Sequence, residues 1–215
     1  MKRLGFFVIC LLAVTSITAK NGLRLKSGDS SVLGKNVSAF VVFDYSKAGI
    51  EGKDMSLEDY IDQKGYKFEA KWESAQTMAH KNFIKQFNKK SSGIKLSADS
   101  TGGEDYKMII QIRTINLGNT AKSLLPIGAK TDGGATLFGR ITIKNKAGAN
   151  ICTLSFADIQ GQGTASVEGR VTYAYQALRS AFIRYMKKTS KTRIEEADEE
   201  SDDDVDTSDD EESDD

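Results

Sequence analysis

The sequence predicts a single α+β domain, a two-layer sandwich in which a mostly antiparallel sheet of four or five strands carries two long amphipathic helices on one face. Three features carry this prediction. Two segments of alternating polarity are joined by a short glycine-containing loop, two longer segments have helical periodicity, and the hairpin and the strand before it keep one polar face. A sheet with one apolar face must be covered on that face, and the helices are the elements available to cover it.

The predicted hairpin lies at Ala135–Ile159. Its first half alternates apolar residues such as Leu137 and Ile141 with polar ones, and its second half does the same around Leu154 and Phe156. The intervening NKAGAN is rich in turn-forming residues. Two strands of period two on either side of such a loop are typical of an antiparallel hairpin.

Three further strands are predicted. Tyr106–Leu117 alternates in the same way, and Gly93–Ser97 is a short strand before it. Ser38–Tyr45 is apolar on both alternating faces. It is therefore either covered on both sides of the sheet or covered by a helix on one side and by long side chains on the other. At its end, Asp44 is expected to bind turn amides.

The helices are delimited by local signals. Ser56 and Asp59 resemble a capping box that opens a short helix ending at Gly65. A long helix is predicted over Tyr66–Lys90, with Phe68, Trp72, Ala75, Ala79, Phe83 and Phe87 on its core face. A second is predicted over Val167–Lys188, whose basic residues, Arg170 included, are expected outside the core.

The first long helix also carries a strip of lysines. At about 100° per residue, these lysines fall within a wedge of about 80°: Lys67, Lys71, Lys81, Lys85 and Lys89. The strip is either an ordinary solvated face or a surface that binds a polyanion such as nucleic acid or an acidic polysaccharide.

The ends of the chain differ from its body. Residues 1–19 have the positive start, short apolar stretch and small final residue of a signal peptide, which predicts export to the periplasm or the outside of the cell and no membrane span after removal of the leader. Residues 20–37 are predicted to be a polar arm, residues 38–190 the domain, and residues 191–215 a disordered acidic tail.

Charge is distributed unevenly along the chain. The net charge is +0, yet Glu195–Asp215 holds 15 acids and no base. The body from Lys20 to Ile194 has 28 Lys and Arg against 15 Asp and Glu, a net charge of +13. The tail is expected to solubilise the protein, to shield its basic body, or to associate weakly with divalent cations. A specific calcium site is not expected, because the spacing of the acids fits no calcium-binding loop.

A long connection is predicted between the third strand and the hairpin, at Asn116–Gly134. It contains an apolar tetrapeptide, the candidate contact for a protein partner: Leu124, Leu125, Pro126 and Ile127.

No catalytic or metal-binding motif stands out. His80 is the only histidine and is expected to be a surface or boundary residue, since neither a triad nor a metal site can be built around it from neighbouring residues. Gly161 and Gly163 resemble part of a phosphate-binding turn but lack its third glycine. Scattered carboxylates could meet in space, although their spacing does not require it. We expect a protein that is not an enzyme and has no cofactor.

The order of elements resembles that of small domains of envelope accessory proteins, namely penicillin-binding-protein activators and the N-terminal domains of curli secretion and Tol-system proteins, and of uncharacterised secreted bacterial proteins. Four segments carry this resemblance: VVFDYS at Val41–Ser46, FIKQFNKK at Phe83–Lys90, YKMIIQI at Tyr106–Ile112, and YAYQALRSAFIRYM at Tyr173–Met186 after the hairpin. It implies a secreted or periplasmic accessory protein whose partner is another envelope protein. The alternative is a polyanion-binding module shielded by its own tail.

Overall fold

A computed structural model describes residues 22–118 and 133–201, with the side chains of residues 190–201 left out. The bounds of its elements, in chain order, are β1 Leu23–Gly28, a 3₁₀ turn Ser30–Gly34, β2 Ser38–Asp44, β3 Gly49–Ile50, α1 Leu57–Lys64, α2 Tyr66–Lys90, β4 Lys95–Ser97, β5 Tyr106–Asn116, β6 Thr136–Asn145, β7 Asn150–Gln160 and α3 Val167–Ser201.

The described strands form one open sheet of seven strands, in the order β1-β7-β6-β5-β2-β4, with β3 paired beside β5. The half from β1 to β5 is antiparallel, whereas β2 runs parallel to both β4 and β5. The α+β class is confirmed, but the prediction of a mostly antiparallel sheet of four or five strands was wrong. The sheet is mixed because the chain leaves β2 through α1 and α2 and returns beside it in the same direction, which requires a crossover instead of a hairpin.

The predicted hairpin is present as β6 and β7, with Ile141 opposite Leu154 and Ile143 opposite Cys152. Its loop closes through hydrogen bonds from Gly148 and Ala149 to Asn145. Gly148 takes φ +82°, a left-handed conformation that glycine adopts without strain.

The helices begin where their capping signals predict. Ser56 and Asp59 form a reciprocal capping box at α1, and Gly65, at φ +78°, separates α1 from α2. The core face of α2 buries Trp72, Phe83 and Phe87. Phe87 stacks on Phe182 of α3 at 5.2 Å between ring centroids, which joins the two long helices into one layer.

One face of the sheet supplies one side of the core, and the helix layer supplies the other. Along β5, the alternate residues Met108, Ile110 and Ile112 are completely buried, and the facing residues of β6 and β7 are buried with them. Cys152 of β7 belongs to this buried set and is a free thiol. The helix layer covers this face.

Two parts of the predicted end regions belong to regular elements. Leu23–Gly28, inside the predicted polar arm, is an edge strand paired with β7, and the following turn buries Val32 and Leu33. The last helix, α3, extends to Ser201 and so overlaps the predicted disordered tail. The predicted signal peptide, residues 1–19, and the rest of the tail, residues 202–215, lie outside the described residues.

Arg170 of α3 was predicted to lie outside the core, and this prediction was wrong, because only 2% of it is exposed. Its guanidinium donates to the carbonyl oxygens of Leu117 at 2.7 Å and Thr164 at 2.8 Å. These hydrogen bonds connect the start of α3 to the end of β5 and explain how a charged group is tolerated there.

Gly161, the first glycine of the predicted turn after β7, is required by packing. A Cβ on Gly161 would lie 2.2 Å from the backbone nitrogen of Ala174, so only glycine allows α3 to approach the strand this closely. The turn therefore positions a helix, which accounts for Gly161 without any phosphate ligand.

We predict that Gly139→Ala destabilises the fold. A Cβ at this position would lie 2.1 Å from the carbonyl oxygen of Gln111 and 2.7 Å from the ring of Phe156, in the middle of the sheet. Overpacking of this kind typically lowers the free energy of unfolding by about 1–3 kcal/mol.

Urea unfolding measures this loss, with Gly103→Ala as the control because the nearest atom to its Cβ would be a comfortable 3.5 Å away. The control should change stability by less than about 0.5 kcal/mol. Equal stability of the two variants would contradict the packing at Gly139.

Candidate functional site

The face of the sheet opposite the helix layer is a candidate surface. Its residues follow from the strand register, and none of them is buried, so no described element covers this face. Three rows of side chains cross the strands there, and each row combines residues that are far apart in the sequence.

The middle row is β-branched, with two apolar residues and two threonines. It runs through Val42 of β2, Ile109 of β5, Thr142 of β6 and Thr153 of β7, which are direct neighbours across the four strands. All four are partly exposed. We call these four residues the central band. Such a band offers flat contact area in the middle of the face.

The two flanking rows are cationic. On one side of the central band, Lys107 lies directly opposite Lys144; on the other side, Arg140 and Arg24 are both neighbours of Ser155. Like charges directly opposite each other on a sheet are destabilising. An acidic group placed over Lys107 and Lys144 would relieve this repulsion.

Asp44 is the acidic residue at the end of the second cationic row, and both of its carboxylate oxygens accept hydrogen bonds. It accepts hydrogen bonds from the backbone nitrogen of Ser46 at 2.9 Å and from the amide of Gln111 at 2.8 Å. The hydrogen bonds of Ser46 lower the pKa of Asp44. The prediction that this residue binds a turn amide is confirmed.

The five lysines of the predicted polyanion strip are all exposed on α2. They lie in the helix layer, so they do not join the cations of the sheet face. The apolar tetrapeptide Leu124–Ile127, predicted to contact a partner, lies outside the described residues.

His80 is part of a polar cluster that local sequence spacing could not show. Its Nε2 lies 2.6 Å from the hydroxyl of Tyr45, which in turn is hydrogen-bonded to the hydroxyl of Tyr175. The imidazole stacks on the ring of Phe43 at 3.7 Å between centroids. These partners come from β2, from the residue after it and from α3, 35 or more positions away, and they make His80 a boundary residue.

The pKa shifts in this cluster disfavour charge. Burial lowers the pKa of His80 to about 4, and burial raises the pKa of both Tyr45 and Tyr175 above the usual range of a phenol. At neutral pH the cluster is a chain of neutral hydrogen-bonding groups. A phenol with a raised pKa is a poor nucleophile, so the geometry favours a structural role.

The described residues contain neither a metal-binding cluster nor a membrane-spanning helix. Among the described side chains, those of residues 22–118 and 133–189, no three His, Cys, Asp or Glu are grouped so that they could hold a metal ion. Within residues 22–118 and 133–201, no helix combines the length and the apolar character needed to cross a membrane.

Comparisons with known proteins give little. No family model matches the sequence, and no curated protein matches it. Among solved structures, two crystal structures of the PelC dodecamer from Paraburkholderia phytofirmans, one of them of a variant, are similar at TM-scores of 0.35 and 0.34. Both are 11% identical in sequence to this chain. Each alignment covers 73% of this chain, and it covers 96% of the PelC chain in the first structure and 95% in the second. Similarity this low carries no functional conclusion for the present chain.

We predict that acid weakens the fold through His80. Between pH 6.5, the ordinary pKa of histidine, and pH 4, the unfolded chain binds a proton that the folded protein does not, so the free energy of unfolding falls as the pH drops through this window. The loss should be on the order of 2–3 kcal/mol.

Urea unfolding of the protein and of His80→Phe at several pH values between 7 and 4 isolates this contribution. The variant keeps a ring against Phe43 but cannot titrate, so its stability should fall less steeply than that of the parent. Parallel curves for the two proteins would show that His80 does not titrate differently on folding.

Proposed function

We propose that this protein is a non-enzymatic accessory protein of the cell envelope, periplasmic or extracellular, which acts by binding an acidic envelope protein on the uncovered face of its sheet. The observation that carries the proposal is the face itself. Seven strands present one side on which no residue is buried, with the β-branched central band between two rows that carry cations.

The composition of this face suits a protein partner. Interfaces between proteins usually have an apolar centre surrounded by polar residues, and arginine is enriched in them. The central band supplies the centre, and Arg140 with the lysine pair Lys107 and Lys144 supplies a charged margin. A partner with carboxylates over the lysine pair would bind with favourable electrostatics, which raises the association rate as well as specificity.

We predict that Thr142→Glu reduces partner binding about tenfold or more, because it places an acid in the middle of the central band opposite an acidic partner. A photo-crosslinking residue at Ile109 should first capture the partner, whereas the same residue at Met78, 58% exposed on α2, should not. The affinity for the purified partner is then measured for each variant.

Gln63→Glu is the matched control, since it adds the same charge on an exposed position of α1. It should bind as the parent does. If Thr142→Glu binds equally well, or if Met78 crosslinks as efficiently as Ile109, the face is not the binding surface.

A second candidate function is polyanion binding along α2. The exposed lysine strip from Lys67 to Lys89 is about 33 Å long at 1.5 Å per residue. Cations on one side of a rigid helix fit the repeated charges of nucleic acid or an acidic polysaccharide. This candidate uses the helix layer and is independent of the sheet face.

The direction of α3 supports competition between the acidic tail and a polyanion for part of this strip. His80 contacts Tyr175 and Phe87 contacts Phe182, so α2 and α3 run in the same direction. The end of α3 lies beyond the Lys89 end of α2, since Ser201 is 19 residues past Phe182 whereas Lys89 is 2 residues past Phe87, a difference of about 25 Å at 1.5 Å per residue. The 14 residues after Ser201 contain 10 acids and span about 46–50 Å when fully extended, enough to return as far as the lysines from Lys81 to Lys89.

We predict that deletion of Glu195–Asp215 raises the affinity for a polyanion such as heparin or single-stranded DNA. If all five lysines contact phosphates or sulfates, affinity should fall roughly 10²-fold between 50 and 200 mM salt. Fluorescence anisotropy with and without the tail measures both effects.

Replacing Lys71, Lys81 and Lys85 by Gln in the truncated protein should remove most of the gain. Replacing three lysines elsewhere, Lys26, Lys53 and Lys107, is the charge-matched control. Equal losses in the two variants would mean that net charge, and not the strip, governs binding.

A further inference from the structure

The outer edge of β2 is covered by another strand along only part of its length. The strand β4 pairs with Ser38–Phe40, and its last residue, Ser97, lies opposite Phe40. On the other side, β5 pairs with β2 as far as Asp44. Among residues 22–118 and 133–201, no strand lies beside Val41–Asp44 on the β4 side of the sheet.

Two hydrogen bonds show which backbone groups face this edge. The backbone nitrogen of Lys95, at the start of β4, donates to the carbonyl oxygen of Val37 at 2.8 Å. The backbone nitrogen of Asp105, just before β5, donates to the carbonyl oxygen of Ser38 at 3.1 Å. Because the backbone groups of successive strand residues point to opposite sides, the odd-numbered residues of β2 face β4 and the even-numbered ones face β5. The N–H and the C=O of Phe43 therefore point outward, beyond the end of β4.

A cleft of about 270 Å³ opens at the same edge, between β2 and α2. Its lining includes Val41 and Phe43 of the strand and Thr77, Lys81 and Ile84 of the helix. Phe43 and Ile84 are partly exposed, and Thr77 is exposed. Clefts that enclose a whole small molecule are usually larger, about 300–1,000 Å³. This cleft therefore suits a single side chain that lies next to the outward-facing backbone of β2.

The strand at the opposite end of the sheet is protected against pairing, whereas this part of β2 is not. In β1, Arg24 and Lys26 are charged, and the register is interrupted between Leu25 and Ser27. Charged side chains and such irregularities are devices by which an edge strand avoids adding another strand. Val41–Phe43 is entirely apolar and its pairing with β5 is regular. An edge of this kind is a template for another extended chain.

An extended peptide fits both features of this edge. Its own N–H and C=O groups can pair with those of Phe43, and the side chains of an added strand alternate between the two faces of the sheet. Every second side chain of the peptide therefore lies on the side of the cleft. Recognition of this kind takes its affinity from main-chain hydrogen bonds and its specificity from pockets for alternate side chains. Lys81, which is exposed, gives the cleft a positive charge that favours an acidic residue in the same peptide.

We propose that the uncovered part of the β2 edge binds an extended segment of a partner protein. The segment pairs with the backbone of Phe43, places an apolar side chain in the cleft between β2 and α2, and carries an acidic residue beside Lys81. The inference goes beyond the function proposed above and does not rest on it, because strand addition uses the edge of the sheet and requires no contact with Lys107 and Lys144.

Amide hydrogen exchange followed by NMR tests the edge directly. In the protein alone, the amide of Phe43 should exchange at least about a hundredfold faster than those of Val42 and Asp44, which point toward β5. The capped peptide Asp-Thr-Val-Leu-Val-Thr-Asp is then titrated into the full chain at 150 mM salt and pH 7. At saturation it should slow the exchange of the Phe43 amide tenfold or more.

Changes in the peptide test how it binds. Methylation of its backbone nitrogens, one at a time, should weaken binding at alternate positions only, because every second amide of an added strand faces β2. Replacing the leucine by asparagine should weaken binding at least tenfold, because a polar group would enter the cleft without a partner.

Variants of the protein assign the binding to the cleft. Thr77→Trp fills the cleft from α2 and should weaken the peptide tenfold or more. Met78→Trp, at the next exposed position and outside the lining, should bind the peptide as the parent does. Lys81→Glu should weaken the peptide several-fold, whereas Lys90→Glu, which makes the same charge change at the end of α2, should leave binding unchanged. All variants keep the acidic tail, so its contribution is the same in each.

Three results would overturn the proposal. The first is exchange of the Phe43 amide as slow as that of Val42 in dilute protein without peptide, which would mean that the edge is already covered within the chain. The second is equal binding by Thr77→Trp and Met78→Trp, or a loss that does not alternate along the methylated peptides, which would mean that the peptide binds elsewhere or without strand pairing. The third is protection of Phe43 that rises with protein concentration alone, which would mean that a second copy of the chain covers the edge.

Discussion

The parallel pairing of β2 with β4 and β5 is the constraint on which the rest of the architecture depends. Parallel neighbours cannot be joined by a tight turn, so the chain must leave the sheet after β2 and return on the same side. It does so through α1 and α2, and α3 then packs beside α2 in the same layer. One face of the sheet is therefore covered by helices, and the candidate surfaces are what this asymmetry leaves: an open sheet face and the outer side of α2.

Much of the local structure could be predicted because its signals are local. The bounds of α2 agree with the sequence, and the capping box at Ser56 and the hairpin of β6 and β7 were recognised from residues within a few positions of each other. The parallel order could not be predicted in this way. Nothing in the apolar run of β2 says which strand lies beside it or in which direction that strand runs. The strand β1 was missed because its alternation is short and its residues are mostly polar.

The candidate sites were less predictable than the fold, because most of them join residues from different elements. The lysine strip of α2 lies on one helix, so periodicity alone revealed it. The sheet face joins Lys107 to Lys144 and Val42 to Ile109, which are brought together only by strand register. In the same way, the partners of His80 lie on other elements, and its isolated position in the sequence concealed them. The prediction for Arg170 was wrong because its helical position indicated solvent, whereas its guanidinium donates a hydrogen bond to the carbonyl oxygen of Leu117, just after β5.

Burial on the covered side of the sheet controls the reactivity of the Cys152 thiol. The thiol is 1% exposed in the middle of the core, and burial raises its pKa to about 11. The thiolate, which is the reactive form, is therefore nearly absent from the folded state at neutral pH. In an oxidising compartment, folding itself protects this sulfur from mixed disulfides and sulfenic acid, and the thiol becomes reactive only when the hairpin separates from the helices. The rate at which an alkylating reagent modifies Cys152 is thus a direct measure of how often this domain opens.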